Sequence, residues 1–260
     1  MQGIILIMLE LRNVSKFFGK LAALADVSLK INQGELVGLV GPNGSGKTTL
    51  FNVISGSYSA SRGEIFYDGK RITGWRPDQI ASMGVVRTFQ SNVLYKDATV
   101  LENIIRGCYL KMETNSWRAF FGTERYRKME RVAVQRAEEL IRFWGLSEAR
   151  DVLADQLPHG DKRRLGLAVA VAADPKLLLL DEPVGGMSGE EIMDVIGHIR
   201  ELGRQGITVI LVEHHVKTVV NLCQRLIVLN YGQRIADGKP EEVTSQRDVI
   251  EAYLGTEKVA

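Results

Sequence analysis

Nine consecutive residues, Gly41, Pro42, Asn43, Gly44, Ser45, Gly46, Lys47, Thr48 and Thr49, satisfy the pattern G-x-x-x-x-G-K-[ST]. They directly follow an apolar run, Glu35 to Val40. Glycines take backbone conformations denied to other residues, so successive N–H groups turn inward onto phosphate oxygens. The helix that follows directs its positive end at the same anion. In that arrangement Lys47 neutralises charge on the β and γ phosphates and the Thr48 hydroxyl ligates Mg²⁺. A glycine-rich turn with a capping threonine explains the composition but not the position between a strand and a helix. The second group is "LLLLDEP", residues 177 to 183. Asp181 falls at the end of a buried strand, on the carboxyl edge where α/β folds place ligands, and contacts Mg²⁺ directly or through water. Glu182, the next residue, is available as general base for an attacking water. An ordinary acidic strand end accounts for "DE" but not for its pairing with the phosphate loop.

The elements that position these groups are legible in part. Alternating segments at 9–14, 27–31, 35–40 and 64–72, the last with an Asp68-Gly69 turn, predict an antiparallel sheet feeding a buried strand. The continuous apolar runs 176–181 and 207–213 predict parallel strands covered on both faces. Between them Ile192, Val195, Ile196 and Ile199 lie at helical spacing in a helix over 189–203. Residues 225–238 read as a closing hairpin. Pro240 then opens one C-terminal helix that carries Val243, Ile250 and Tyr253 and stops at Gly255. From about Val100 to Ala173 the pattern is helical without interruption, and the charged run 124–144 reads as a solvated helix face.

With 260 residues the chain is long enough to bury a substantial core, which excludes disorder and mini-protein scaffolds. A net charge of +2 gives no basic excess of the kind that accompanies nucleic-acid binding. Cys108 and Cys223 match no metal-ligand spacing and form no disulfide framework, so they read as small core residues in a reducing compartment. The apolar stretch Gly3 to Met8 is far short of the roughly 20 residues that span a bilayer, and no basic region precedes it. The chain is therefore expected neither to cross the membrane nor to carry a signal peptide. Residues 1–7 read as an N-terminal extension, with Met8 an alternative start.

With these residues in place, the chain resembles the nucleotide-binding subunit of an ABC transporter, over nearly its whole length and with the motifs in the family's order. The resemblance implies an α/β P-loop NTPase (ABC ATPase) core with an antiparallel β subdomain and an inserted helical subdomain. It divides a single domain, 8–260, into a core of 8–90 and 174–260 and a helical part of 91–173. "KFFG" (16–19) resembles the loop whose aromatic stacks on adenine, with Phe18 at the matching position and Phe17 in the core. "RTFQ" (87–90) resembles the glutamine loop, which makes Gln90 the residue that senses γ-phosphate and Mg²⁺. "GGMS" (185–188) resembles the D-loop, and His214 of "VEH" the switch histidine.

"LPHGDKRR" (157–164) stands where the family has its signature, which casts Leu157, Pro158, His159, Gly160 and Asp161 as nucleotide-contacting residues across a dimer. It departs from L-S-G-G-Q: Pro158 replaces the serine, His159 a glycine and Asp161 the glutamine. Pro158 offers neither a hydroxyl nor an N–H to the γ-phosphate, leaving Gly160 and the following helix dipole for that contact.

"RTFQ", "VLENI" (100–104), "DEPVGGMS", "VEHH" and the tail "VIEAYLG" (249–255) are similar to the ATP-binding subunits of branched-chain (hydrophobic) amino acid importers. Lipopolysaccharide-export ATPases share such tails, and urea or amide importers share most of these features. The resemblance implies ATP and Mg²⁺ as cofactors, transmembrane permease subunits and a second ATP-binding subunit, identical or related, as partners, and indirectly a periplasmic or extracellular solute-binding protein. It implies no nucleic acid, and a peripheral position on the cytoplasmic face of the inner (plasma) membrane. Two rivals are a non-transport ABC ATPase acting on DNA or ribosomes, which would bring coiled coils or tandem cassettes, and a small-molecule kinase, which leaves the signature and His214 unexplained.

Overall fold

The structure, a computed structural model, describes residues 6–88, 94–109, 124–213 and 216–257. In chain order these form β1 (Ile7–Phe18), β2 (Leu21–Asn32), β3 (Leu36–Val40), α1 (Lys47–Ile54), β4 (Arg62–Tyr67), β5 (Lys70–Arg71), α2 (Pro77–Ser82) and β6 (Val85–Arg87). Then follow α3 (Val100–Tyr109), α4 (Glu124–Phe143), α5 (His159–Ala172), β7 (Leu177–Asp181), α6 (Gly189–Arg204) and β8 (Thr208–Val212). The chain closes with α7 (Val216–Leu222), β9 (Arg225–Asn230), β10 (Gln233–Gly238), α8 (Pro240–Thr244) and α9 (Arg247–Glu257).

Two compact units result. One comprises Met1–Arg87, Lys176–Glu182 and Arg200–Ala260. Its antiparallel sheet has the order β2-β1-β4-β5; its larger sheet has the order β10-β9-β3-β8-β7-β6, parallel from β9 through β6 with β10 antiparallel at the edge. The continuous apolar runs are explained by burial on both faces. Val37, Leu39, Leu177, Leu179, Ile210 and Val212 share one core with Leu9, Leu11, Ile31 and Phe51, while the alternate residues Leu178, Leu180, Val209 and Leu211 are buried opposite. Because β3, β8, β7 and β6 run parallel, their carboxyl ends lie along one edge, which gathers Gly41, Glu213, Asp181 and Arg87 there.

The other unit comprises Thr88–Pro175 and Pro183–Ile199. In its described residues α3, α4 and α5 pack together, with short 3-10 turns at Ser147–Ala149 and Ala154–Gln156 and an isolated bridge between Thr99 and Leu153. Trp144 is fully buried, against Phe143 and His198.

The differences from the sequence reading have local causes. β1 and β2 run well past the alternating segments because bulges, with Asn13 at φ 50° and Asp26 at φ 51°, shift the register and break the period of two. β6 is three residues long, too short for any periodicity, and the sequence reading omits it. The expected single C-terminal helix is two: α8 ends at Thr244 with Ser245 as its C-cap, and α9 runs through Gly255 to Glu257. Phe17 is half-buried rather than core, with the Arg62 guanidinium 5.5 Å above its ring. Both cysteines are buried as expected, and burial pushes their thiols up.

Candidate functional site

β3 delivers the chain into the loop Gly41–Gly46, and Lys47 starts α1. Two glycines are required there. A Cβ on Gly41 would lie 2.1 Å from the Leu229 carbonyl oxygen, and Gly46 has φ 106° with a Cβ position 2.7 Å from the Ala23 carbonyl oxygen. Ser45 is buried, and its carbonyl accepts the Gly232 N–H at 2.9 Å, which pins the loop to the β9–β10 turn. Pro42 is buried, whereas Asn43, Gly44 and Thr48 face solvent. No side chain caps the N-terminus of α1, and no acidic residue stands in its first turn. The positive end of the helix is thus open to an anion.

Lys47 is 6% exposed, and its Nζ donates to the carbonyls of Gly41 at 2.7 Å and Pro42 at 2.9 Å. Burial lowers its pKa, against the opposing pull of Glu182 and Asp181. The ammonium is therefore folded back onto the loop it would leave to meet a phosphate.

Asp181 ends β7 and is buried, and its Oδ2 accepts from Arg87 Nη2 at 2.9 Å. Arg87 also donates to Asn52 Oδ1 on α1. Glu182 follows at φ 48°, a left-handed conformation rare for a residue with a side chain, and its N–H bonds the Val212 carbonyl at 2.9 Å. That backbone twist separates the direction of Glu182 from that of Asp181. Thr48 and Asp181 offer a hydroxyl and a carboxylate oxygen, and no cluster of three or more His, Cys, Asp or Glu side chains suited to a metal exists among the described residues. An oxygen-only set this small fits Mg²⁺ held jointly with phosphates rather than in an all-protein cage.

Phe18 ends β1, is 43% exposed, and packs edge-on against Tyr58 with centroids 5.3 Å apart. Lys16 Nζ lies 5.0 Å from its ring. An open aromatic face of this kind suits stacking of a base.

In the other unit Pro158 is the N-cap of α5, without a side-chain cap, and His159, Gly160 and Asp161 form its first turn. Leu157 and Gly160 are buried, while Pro158 and His159 are exposed. A Cβ on Gly160 would sit 2.0 Å from Glu191 Oε1, so a carboxylate presses on the start of this helix. Glu191 also caps its own helix by accepting the Ser188 N–H at 2.8 Å, and that bond chiefly lowers its pKa. The His159 ring packs against Gly186. Gln90 and His214 lie outside the described residues.

Sequence reasoning missed Arg87 and Tyr253. "RTFQ" drew attention to Gln90, and Arg87 gave no signal of its own, because β6 is only three residues long and its partners Asn52 and Asp181 are distant in the chain. Tyr253 reads in the sequence only as carried on the C-terminal helix, yet its hydroxyl oxygen accepts the Gly41 N–H; nothing in the spacing of α9 pointed to that.

The ABC transporter family profile matches residues 24–185, and the profile described as "Branched-chain amino acid ATP-binding cassette transporter" matches 233–259. Over 248 residues the chain is 38% identical to the high-affinity branched-chain amino acid transport ATP-binding protein BraF of Pseudomonas aeruginosa, covering 95% of this chain and 97% of that one. It superposes with a TM-score of 0.83 on the ADP conformation of an ATP-binding cassette of an ABC transporter, at 33% identity, covering 96% and 99% of the two chains. A dimeric post-hydrolysis cassette bound to ADP and Pi gives a TM-score of 0.77 at 25% identity, with 90% and 99% covered. With the loop, the sheet edge and these likenesses together, the chain belongs to the ABC transporter family and is an ABC ATPase, a nucleotide-binding cassette.

Proposed function

We propose that this chain is the ATP-hydrolysing subunit of an importer for branched-chain or other hydrophobic amino acids. The observation that carries the proposal is the common sheet edge. The loop after β3, with Lys47, and the end of β7, with Asp181 and Glu182, are separated by the single strand β8. The C-terminal profile match and the likeness to BraF support the substrate class.

In this reading the backbone N–H groups of Asn43–Thr49 and the start of α1 hold the phosphates of ATP, Lys47 exchanges its two carbonyl partners for phosphate oxygens, and Phe18 stacks on adenine. Thr48, Gln90 and Asp181 would hold Mg²⁺, which would supply positive charge to offset that of the phosphates. Glu182 takes a proton from the attacking water, and His214 keeps that water in register with the γ-phosphoryl. A second cassette, identical or related, closes over the nucleotide with its own residues 157–161, and the likeness to a dimeric cassette supports this pairing. Hydrolysis removes the bridging charge, so occupancy shifts the pair between closed and open states.

Residues 8–260 act as one cassette, with 91–173 as a helical subdomain that passes the cycle to transmembrane permease subunits; helices α3, α4 and α5 support that division. No described helix is long and apolar enough to cross a membrane. Separate subunits therefore form the path, this chain docks on their cytoplasmic face, and a solute-binding protein acts from the other side.

The test is co-expression with the permease subunits in vesicles that contain solute-binding protein. ATP turnover should rise when leucine, isoleucine or valine is supplied. Turnover indifferent to every hydrophobic amino acid would overturn the substrate assignment.

Pro158→Ser bears on the cross-dimer contact. Pro158 has φ −55° and ψ 159°, which serine adopts freely. The new hydroxyl should tighten ATP-dependent association of a hydrolysis-dead subunit about 5- to 10-fold, as one added hydrogen bond of roughly 1 to 1.4 kcal/mol provides. Sizing at graded protein concentration reads this, and thermal melting without ATP separates it from simple helix capping. No gain in association would count against residue 158 facing the γ-phosphate.

A further inference from the structure

Arg87 has no part in the scheme above, yet its surroundings are built around it. Its side chain is 7% exposed and that of Asp181 4%, so the 2.9 Å contact between them is an ion pair out of water. The guanidinium also bonds Asn52 Oδ1 and stands 5.5 Å from the centroid of the Phe51 ring. Asn52 and Phe51 belong to α1, which begins at Lys47 and Thr48; Asp181 ends β7; Arg87 ends β6, three residues before Gln90. One planar, permanently charged group thus ties together the element that presents the hydroxyl, the strand that presents the carboxylate, and the entry to the glutamine loop.

We infer that Arg87 is a positioning residue that holds the Asp181 carboxylate in place for Mg²⁺ and fixes its spacing from the phosphate-loop helix. The inference rests on the proposed reading of Asp181 as a metal ligand. A buried carboxylate without a counter-charge is costly, and it is free to turn toward other donors. The Arg87 fork satisfies Oδ2 and limits rotation of the carboxylate, while its bond to Asn52 sets the register of α1 against β7. A guanidinium donates and never ligates a cation, so Arg87 acts on the metal only through Asp181.

The experiment is equilibrium binding of a fluorescent ATP analogue to the whole chain, with and without Mg²⁺, for the wild type, Arg87→Met, Arg87→Lys and Asp181→Asn. Arg87→Met should leave Mg²⁺-free binding within about 2-fold and raise the Mg²⁺ concentration for half-maximal enhancement about 5- to 20-fold, less than the loss of a direct charge-assisted contact because Arg87 acts on the metal only through Asp181. Arg87→Lys, which keeps the charge without the fork, should fall between; it also serves if the methionine variant does not fold. Adding Arg87→Met to Asp181→Asn should cause little further loss, because both act through one carboxylate. If Asp181→Asn shifts the Mg²⁺ requirement and neither Arg87 variant does, the inference is wrong while the metal reading stands. If Asp181→Asn shifts nothing, the metal reading fails and takes this inference with it. A purely structural role would lower the melting temperature and leave the Mg²⁺ requirement unmoved.

Discussion

Glu182→Gln is expected to lower ATP turnover by about 10²- to 10⁴-fold, the range for loss of a general base, while nucleotide affinity stays within a few-fold of the wild type. The side chains match in size, and the amide cannot accept the water's proton. The main-chain twist at φ 48° and the bond from the Glu182 N–H to the Val212 carbonyl depend on the backbone alone, so the substitution leaves the site's frame intact. A second consequence follows for the pair. With hydrolysis blocked, ATP should accumulate a slowly dissociating dimer. Phosphate release under single-turnover conditions and sizing with ATP read the two effects. Phosphate release at the wild-type rate would remove Glu182 from the mechanism.

Lys47→Ala is expected to weaken ATP binding about 10- to 150-fold, as loss of a charge-assisted bond of roughly 1.5 to 3 kcal/mol implies. The effect on binding should exceed that of any other single change in the loop side chains, because Lys47 is its one cation. Its buried ammonium also has a pH signature. Burial disfavours the charged form, so the folded pKa lies below the ordinary 10.5 and the unfolded chain binds more protons between those two values. In the nucleotide-free protein, stability attributable to Lys47 therefore rises with pH through that window, and the deficit is fully present below it. Lys47→Met should remove this alkaline gain. Denaturant melts of both proteins across the window check the sign, and an equal slope in the two would contradict it.

How much of this was legible beforehand depends on the reach of each signal. The phosphate loop was, because its pattern is short-range and its glycines answer to local backbone demands at Gly41 and Gly46. The buried strands were too, since double-sided burial writes an unbroken apolar run into 177–180 and 209–212. What escaped was set by distant partners. Arg87 earns its place from Asp181 and Asn52, 94 and 35 residues away in the chain. Tyr253 bonds an amide of the phosphate loop from the far end of the sequence. The Glu191 carboxylate against Gly160 likewise joins two helices whose sequences show only their own caps. β6 and the bulges of β1 were invisible for another reason: three residues, or a broken register, leave no period to read.

The central claim is that one ATP per chain binds with its γ-phosphoryl between Lys47 and the end of β7. The most direct measurement is an experimentally determined structure of the Glu182→Gln protein with ATP and Mg²⁺. The account predicts that Lys47 Nζ has left the Gly41 and Pro42 carbonyls for phosphate oxygens, with Asp181 at the metal. A γ-phosphoryl remote from both Lys47 and Asp181 would contradict it.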